Sequence, residues 1–375
     1  MSNKNILPPG FKDNLPPFTE SEHNYTNKII KIFNSNGYKI TKPPLFEYLN
    51  NSEEQKKIFV INYKNKKKSL KVRNDITEQI SRIATSRFNK FDRPLRLCYY
   101  GEVVRNSSSI LKPERQFLQV GAECIGEKSF LADVEILSLA FESLKAVGIK
   151  DITIDFSNSF LINFISNKDL KSKNKFDFFK YLKRKDIDMS LSLLNNSKKI
   201  LYVKNLIKCR GELSQNLKLI NKLKVNKKIS NEIENLIKII VVLKKKFKDI
   251  IFNIDFCDHA SQNYYYGNSF TIFAKNVRGE IASGGRYLNK YEKKETGVGF
   301  ACYMDTIVRA SSAKLNKKKI IIPFKTDEKL VKNLIKKNFI ILRNFENKSN
   351  LEKIAKAHKL NYFFYKNRIK KVKYD

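Results

Sequence analysis

The chain has 375 residues, 42% hydrophobic and 12% aromatic, enough apolar surface to offset chain entropy; this excludes a disordered polymer and suits one large domain with a smaller companion. The formal net charge is +37, but lysine, asparagine and isoleucine crowd every part, linkers such as Lys64 to Lys68 included, so the charge is expected on solvated faces rather than in a polyanion groove. Five dispersed cysteines (Cys98, Cys124, Cys209, Cys257, Cys302) without a CxxC pair, and three dispersed histidines (His23, His259, His358), exclude a disulfide framework and a metal centre and predict reduced thiols in the cytoplasm, while the longest apolar run, near Ile239 to Leu243, is too short to span a bilayer.

Prolines make Leu7 to Pro17 stiff and extended. A helix is predicted next, with Thr19 and Glu22 as a capping box, an apolar stripe through Tyr25, Ile29, Ile30, Ile32 and Phe33, and Gly37 as its stop. Tyr38 to Ile40 reads as a strand ended by Pro43 and Pro44. Phe59 to Tyr63 and Ser69 to Val72 read as a hairpin, with a helix from Thr77. Leu95 to Arg105 and Arg115 to Ile125 are predicted strands around a serine-rich loop, Ser107 to Pro113. A helix from Leu131 to Ala146, stopped by Gly148, leads to a strand over Ile152 to Phe156. Consecutive strands joined by hairpins predict an antiparallel sheet.

From 158 to 247 helical periodicity with dense lysines and no strands predicts a helical insertion. Strands resume at Ile250 to Phe256 and Tyr264 to Ala274, and the glycine pair within Gly279 to Tyr287 suits a tight turn. After the basic linker Lys314 to Lys319, strands at Ile320 to Pro323, Phe339 to Leu342 and Tyr362 to Tyr365 alternate with two helices. The expected architecture is α+β: a core over 1–312 and a small α/β unit over 313–375. Neither GxxxxGK[ST] nor GxGxxG occurs.

The most informative stretch is Arg96 to Arg105 followed by Glu114 to Glu123. Strand alternation puts Gln119, Gly121 and Glu123 on one face, where a polar amide and a carboxylate can hold an ammonium group. A solvent-facing strand would carry the same residues, and spacing leaves both readings open. His259 beside Asp258 lacks a nucleophile motif and takes the bland reading. Arg286, after the glycine pair, is expected to order a turn or line the pocket.

This hairpin resembles motif 2 of the class II aminoacyl-tRNA synthetases, in the histidyl branch: an arginine closes the first strand and RQFLQVGAE forms the second. Pro8-Pro9-Gly10 with Asp13, Val72 to Thr77, Asn263 to Gly267, Ser283 to Tyr287 and Gly297 to Ala301 agree in order. The resemblance implies a class II synthetase-like antiparallel sheet flanked by helices, and a histidine pocket at Asp75, Thr77, Arg105, Gln119, Glu123, Tyr264 and Tyr265.

Departures from the pattern imply lost adenylation chemistry. A glutamate expected two residues after Arg105 is missing, since Asn106 and Ser107 follow. Thr306 stands where motif 3 carries an arginine, and Ala260 where the histidyl signature carries another. A hydroxyl cannot replace a guanidinium on phosphate. Only residues 320–375 follow the linker, short for an anticodon-binding domain. The pattern therefore resembles the regulatory subunits that pair with short-form ATP phosphoribosyltransferase. It implies a non-catalytic chain that activates that catalytic subunit, binds histidine for feedback, uses no cofactor, and self-dimerises within a hetero-octamer. The competing expectations are a divergent histidyl-tRNA synthetase and a synthetase-like RNA-binding module, the latter predicting strongly salt-dependent tRNA binding.

Overall fold

In the computed structural model, which describes residues 6–49, 58–62, 68–106, 112–165, 167–171, 175–257, 265–289, 291, 295–313, 318–346, 350–365 and 368–374, the prolines lead into helix α1 (Phe18–Ser35). The helix begins before the expected capping box. The Phe18 N–H donates to the Leu15 carbonyl and Ser21 N–H to that of Pro17, while no side chain caps the end. Glu22 does not cap the helix but feels the charges of Glu102 and Asp305; partial burial, then those two charges, raise its pKa to about 7.

Short strands β1 (Lys39–Ile40), β2 (Phe46–Tyr48), β3 (Val60–Ile61) and β4 (Leu70–Val72) precede α2 (Thr77–Ser86). The hairpin β5 (Leu95–Val104) and β6 (Gln116–Ile125) follows, then α3 (Phe130–Ala146) and β7 (Ile152–Asn158). The insertion comprises α4 (Ser159–Asn163), α5 (Lys175–Lys183), α6 (Ile187–Ser192), α7 (Ser197–Lys208), β8 (Arg210–Glu212), α8 (Leu213–Lys222) and α9 (Lys227–Lys246). Strand β8 departs from the all-helical expectation. Arg-Gly-Glu carries no apolar alternation, and it is the sheet edge, antiparallel to the next strand, that makes it a strand. The unit closes with β9 (Ile251–Asp255), β10 (Tyr265–Ala274), β11 (Ala282–Leu288), β12 (Thr296–Tyr303) and α10 (Met304–Ala310).

Nine strands form one sheet in the order β1-β5-β6-β12-β11-β10-β7-β9-β8, antiparallel except for the β1–β5 and β7–β9 pairs. Strands β2, β4 and β3 form a separate small sheet. One face of the large sheet packs Val120, Ala122, Cys124, Val298, Phe300 and Cys302 against helices including α1, α3 and α9. Period-2 alternation sends Gln119, Gly121 and Glu123 to the opposite face, toward α2. All five cysteines are buried and none forms a disulfide.

The glycine pair does not make a turn. Gly284 and Gly285 lie inside β11, where a Cβ on Gly284 would collide with the Gly299 carbonyl and one on Gly285 would stand 2.7 Å from that of Asn268. Close strand packing, rather than chain reversal, requires glycine there.

The structure divides into Met1–Ala313 and Lys314–Asp375. The second unit holds β13 (Lys318–Pro323), α11 (Glu328–Lys336), β14 (Phe339–Asn344), α12 (Leu351–Ala357), β15 (Tyr362–Tyr365) and β16 (Arg368–Lys371), in sheet order β14-β13-β15-β16. The first three strands are parallel, as expected of a βαβ arrangement, and the basic β16 adds an antiparallel edge that the sequence reading missed.

Candidate functional site

Small residues pave the face of the sheet that carries Gln119 and Glu123. Register sets Gly299 beside Glu123, Ala301 beside Gly121, and Gly297 beside Tyr287. A Cβ at Gly299 would run into the Glu123 carboxylate, and one at Gly121 into the Tyr99 hydroxyl. The missing side chains are the space in which the polar groups lie.

Glu123 is fully buried. Tyr287 donates its hydroxyl to one carboxylate oxygen at 3.0 Å and Tyr99 to the other at 3.4 Å. Gln119, also fully buried, bridges the strand to the start of α2: its Oε1 accepts from the Ile76 N–H at 3.0 Å and its Nε2 donates to Asp75 Oδ2 at 2.9 Å. The second Asp75 oxygen accepts from the Thr77 N–H at 2.8 Å, and the Thr77 hydroxyl lies 3.1 Å from that of Tyr99. Asp75, Thr77, Gln119 and Glu123 thus form one connected group. The solvent-facing alternative for this strand is excluded, because β6 is buried on both faces from Gln119 to Ile125.

Burial raises the Glu123 pKa to about 8; the Tyr287, Thr77 and Tyr99 hydroxyls work against the rise and the Asp75 charge adds to it. An exposed glutamate titrates near 4.5, so between these values the folded chain keeps a proton that the unfolded chain has released. This contribution to stability is full below pH 4.5 and is lost as pH rises toward 8. Glu123→Gln, with no proton to lose, should therefore melt at increasingly higher temperature relative to wild type across that window. Parallel melting profiles against pH would overturn the assignment.

Cations gather at the other end. The Arg105 guanidinium lies over the rings of Phe117 (4.9 Å) and Tyr303 (5.5 Å), and although burial works against its charge, Tyr303, Asp75 and Glu280 hold it in the charged form. Tyr303 stands opposite Gln119 in register and shares a 2.6 Å hydrogen bond with Ser283. The half-buried Tyr265, opposite Tyr287, feels both Asp75 and Glu123 and hydrogen-bonds Ser283. Tyr264, with His259 and Ala260, lies outside the described residues. Arg286 pairs with Asp133 and donates to the Glu127 and Ser129 carbonyls, ordering the turn before α3.

Tyr99 and Tyr287, the two residues that hold Glu123, were missed by the sequence reading. The available signal was alternation, which puts Tyr99 in line with Leu97 and Val103, but their convergence on Glu123 depends on cross-strand register. A groove of about 480 Å³ elsewhere is lined by Pro8, Phe11, Phe59 and Arg115 among others; Arg115 stacks there on both phenylalanines and spends its donors on the Pro9 and Arg105 carbonyls and Asn106. With no buried carboxylate or tyrosine hydroxyl, it lacks the chemistry of the Glu123 site. Among the described residues no cluster of three or more His, Cys, Asp or Glu could hold a metal, and no helix is long and apolar enough to cross a membrane.

A sequence model of the histidyl-tRNA synthetase family matches residues 10–307. The ATP phosphoribosyltransferase regulatory subunit of Rhodospirillum centenum is 31% identical over 332 residues, spanning 86% of this chain and 84% of that protein. A crystal structure described as an ATP phosphoribosyltransferase regulatory subunit/histidyl-tRNA synthetase, from Bacillus halodurans, superposes with a TM-score of 0.78 at 20% identity, over 95% of this chain and 97% of that one. A chain of the HisG:HisZ ATP phosphoribosyl transferase complex of Thermotoga maritima superposes with a TM-score of 0.58 at 18% identity, over 77% and 98%. A glycine-floored sheet face with helices packed behind it, carrying this motif 2 hairpin, defines a class II synthetase-like chain of the histidyl family. Within that family the chain belongs to the ATP phosphoribosyltransferase regulatory subunits, whose role is regulatory rather than catalytic.

Proposed function

We propose that this chain activates a catalytic short-form ATP phosphoribosyltransferase subunit, in the first step of histidine synthesis, and reports histidine to it through the Asp75, Gln119 and Glu123 pocket. The observation that carries the reading is the buried polar group itself: the carboxylates of Asp75 and Glu123, linked through Thr77 and Tyr99, at one end, and Arg105 on the ring of Tyr303 at the other. That polarity complements a zwitterionic amino acid, and charge-assisted hydrogen bonds of this kind contribute roughly 1.5 to 3 kcal/mol each. Thr77, Tyr265 and Tyr264 complete the histidine site. The HisG:HisZ complex supports a catalytic partner for a chain of this fold. The assembly proposed is a hetero-octamer built on synthetase-like dimers, working in the cytoplasm without metal or cofactor; the +37 charge resides on solvated faces.

Mixing the purified chain with a short-form catalytic subunit tests this. The expected result is a co-eluting species larger than either component, higher phosphoribosyl transfer, and suppression by histidine that the catalytic subunit alone does not show. Separate elution at micromolar concentration with unchanged activity would remove the partner; salt-dependent tRNA binding would favour the RNA-binding alternative.

A further inference from the structure

We infer that Lys112 distinguishes a free α-carboxylate from its uncharged derivatives, an inference that rests on the histidine-sensing reading. Its ammonium lies 3.4 Å from the centroid of the Tyr303 ring and 2.6 Å from Glu280 Oε1. Tyr303 is the register partner of Gln119, and Gln119 holds Asp75, so Lys112 stands at the cation end of the same pocket. Arg105 approaches the same ring, and its charge is felt by Lys112. Lys112 comes from the chain entering β6 and Glu280 from the turn entering β11, so the two meet only in the folded sheet.

The ion pair is unevenly buried: 12% of the Lys112 side chain is exposed but 30% of that of Glu280. Glu280 can turn to water when another anion arrives, whereas Lys112 has little freedom to leave. Burial lowers the lysine pKa to about 8, with Glu280 opposing the fall, so a further anion beside it is favourable. A ligand carboxylate placed between Arg105 and Lys112 would displace Glu280 and keep the ammonium on the tyrosine ring. An ester, an amide or an alcohol at that place would leave the Lys112–Glu280 pair intact and gain nothing from it.

Calorimetric titration of L-histidine, L-histidinol and histidine methyl ester into the full chain tests this. Lys112→Met should weaken histidine by roughly tenfold to a hundredfold, the loss of one charge-assisted contact, and leave histidinol and the ester within about twofold. Lys112→Arg should retain most of the preference. Glu280→Gln should tighten histidine severalfold without changing histidinol, because a competing anion is gone; a purely structural ion pair predicts a loss instead. This second variant decides the matter if Lys112→Met fails to fold. Wild type that binds none of the three compounds overturns the sensing reading and this assignment with it. Wild type that binds histidine, while Lys112→Met keeps the histidine-to-histidinol ratio, overturns this assignment alone.

Discussion

Glu123→Ala is expected to weaken histidine binding by roughly tenfold to a hundredfold, the equivalent of one charge-assisted contact, and to move feedback inhibition of the assembled complex to correspondingly higher histidine. Glu123 accepts two tyrosine hydroxyls, and neither carries a charge that would balance its own. It is a fully buried carboxylate on a floor of glycines, and its pKa near 8 shows how strongly the site disfavours its charge without a cation. A ligand ammonium would supply that cation. Truncation also strands the hydroxyls of Tyr287 and Tyr99, so alanine should cost stability, on the order of 1 to 3 kcal/mol for a buried polar group left unpaired. Glu123→Gln separates the two effects, since the amide keeps the volume and can meet both tyrosines but carries no charge. It should lose histidine affinity while melting no lower than wild type at neutral pH. Basal activity of the complex should survive in both variants. Equal histidine affinity in wild type and Glu123→Gln would remove Glu123 from the ligand site.

What could be read from the sequence follows the range of the interactions involved. Alternation along β6 is local, so the shared face of Gln119, Gly121 and Glu123 was visible, as were the β5–β6 hairpin and the stop at Gly148, whose φ is +82°. The local rule failed at Thr19 because backbone turns from Leu15 and Pro17 had already closed the helix end. It failed at Gly284 and Gly285 because a glycine pair signals a turn only when nothing crosses close to it, and here β10 and β12 do. Neither the tyrosines that hold Glu123 nor the meeting of Lys112 with Glu280 follows from spacing. Each depends on which strands become neighbours, and the order β6-β12-β11-β10 brings together segments as distant as residues 123 and 287.

The chain alone is expected to show no histidine-dependent pyrophosphate exchange, because the positions that should grip phosphate are engaged elsewhere. Thr306 is fully buried and donates its hydroxyl to Asp305 at 3.2 Å. Arg309, one helical turn later, does not substitute for the absent arginine, because its guanidinium is held between Glu114 at 3.0 Å and Asp305 at 3.2 Å. Two carboxylates neutralise the charge that a phosphate would need. Asn106, beside Arg105, has its carbonyl oxygen taken by Arg115 at 2.7 Å. Removing a single preorganised donor from a transition-state site costs roughly 2.7 to 4 kcal/mol, or 10² to 10³ in rate, and more than one is missing here. Exchange should therefore fall at least several powers of ten below that of an ordinary histidyl-tRNA synthetase measured alongside. Thr306→Arg should not restore it: Thr306 is fully buried with the Arg309 guanidinium 3.4 Å from its hydroxyl, so a second guanidinium would be desolvated beside a like charge, and the variant is expected to melt at lower temperature and remain inactive. Exchange at an ordinary synthetase rate in wild type would overturn this reading, whereas recovery in Thr306→Arg would show that the missing arginine was the whole defect.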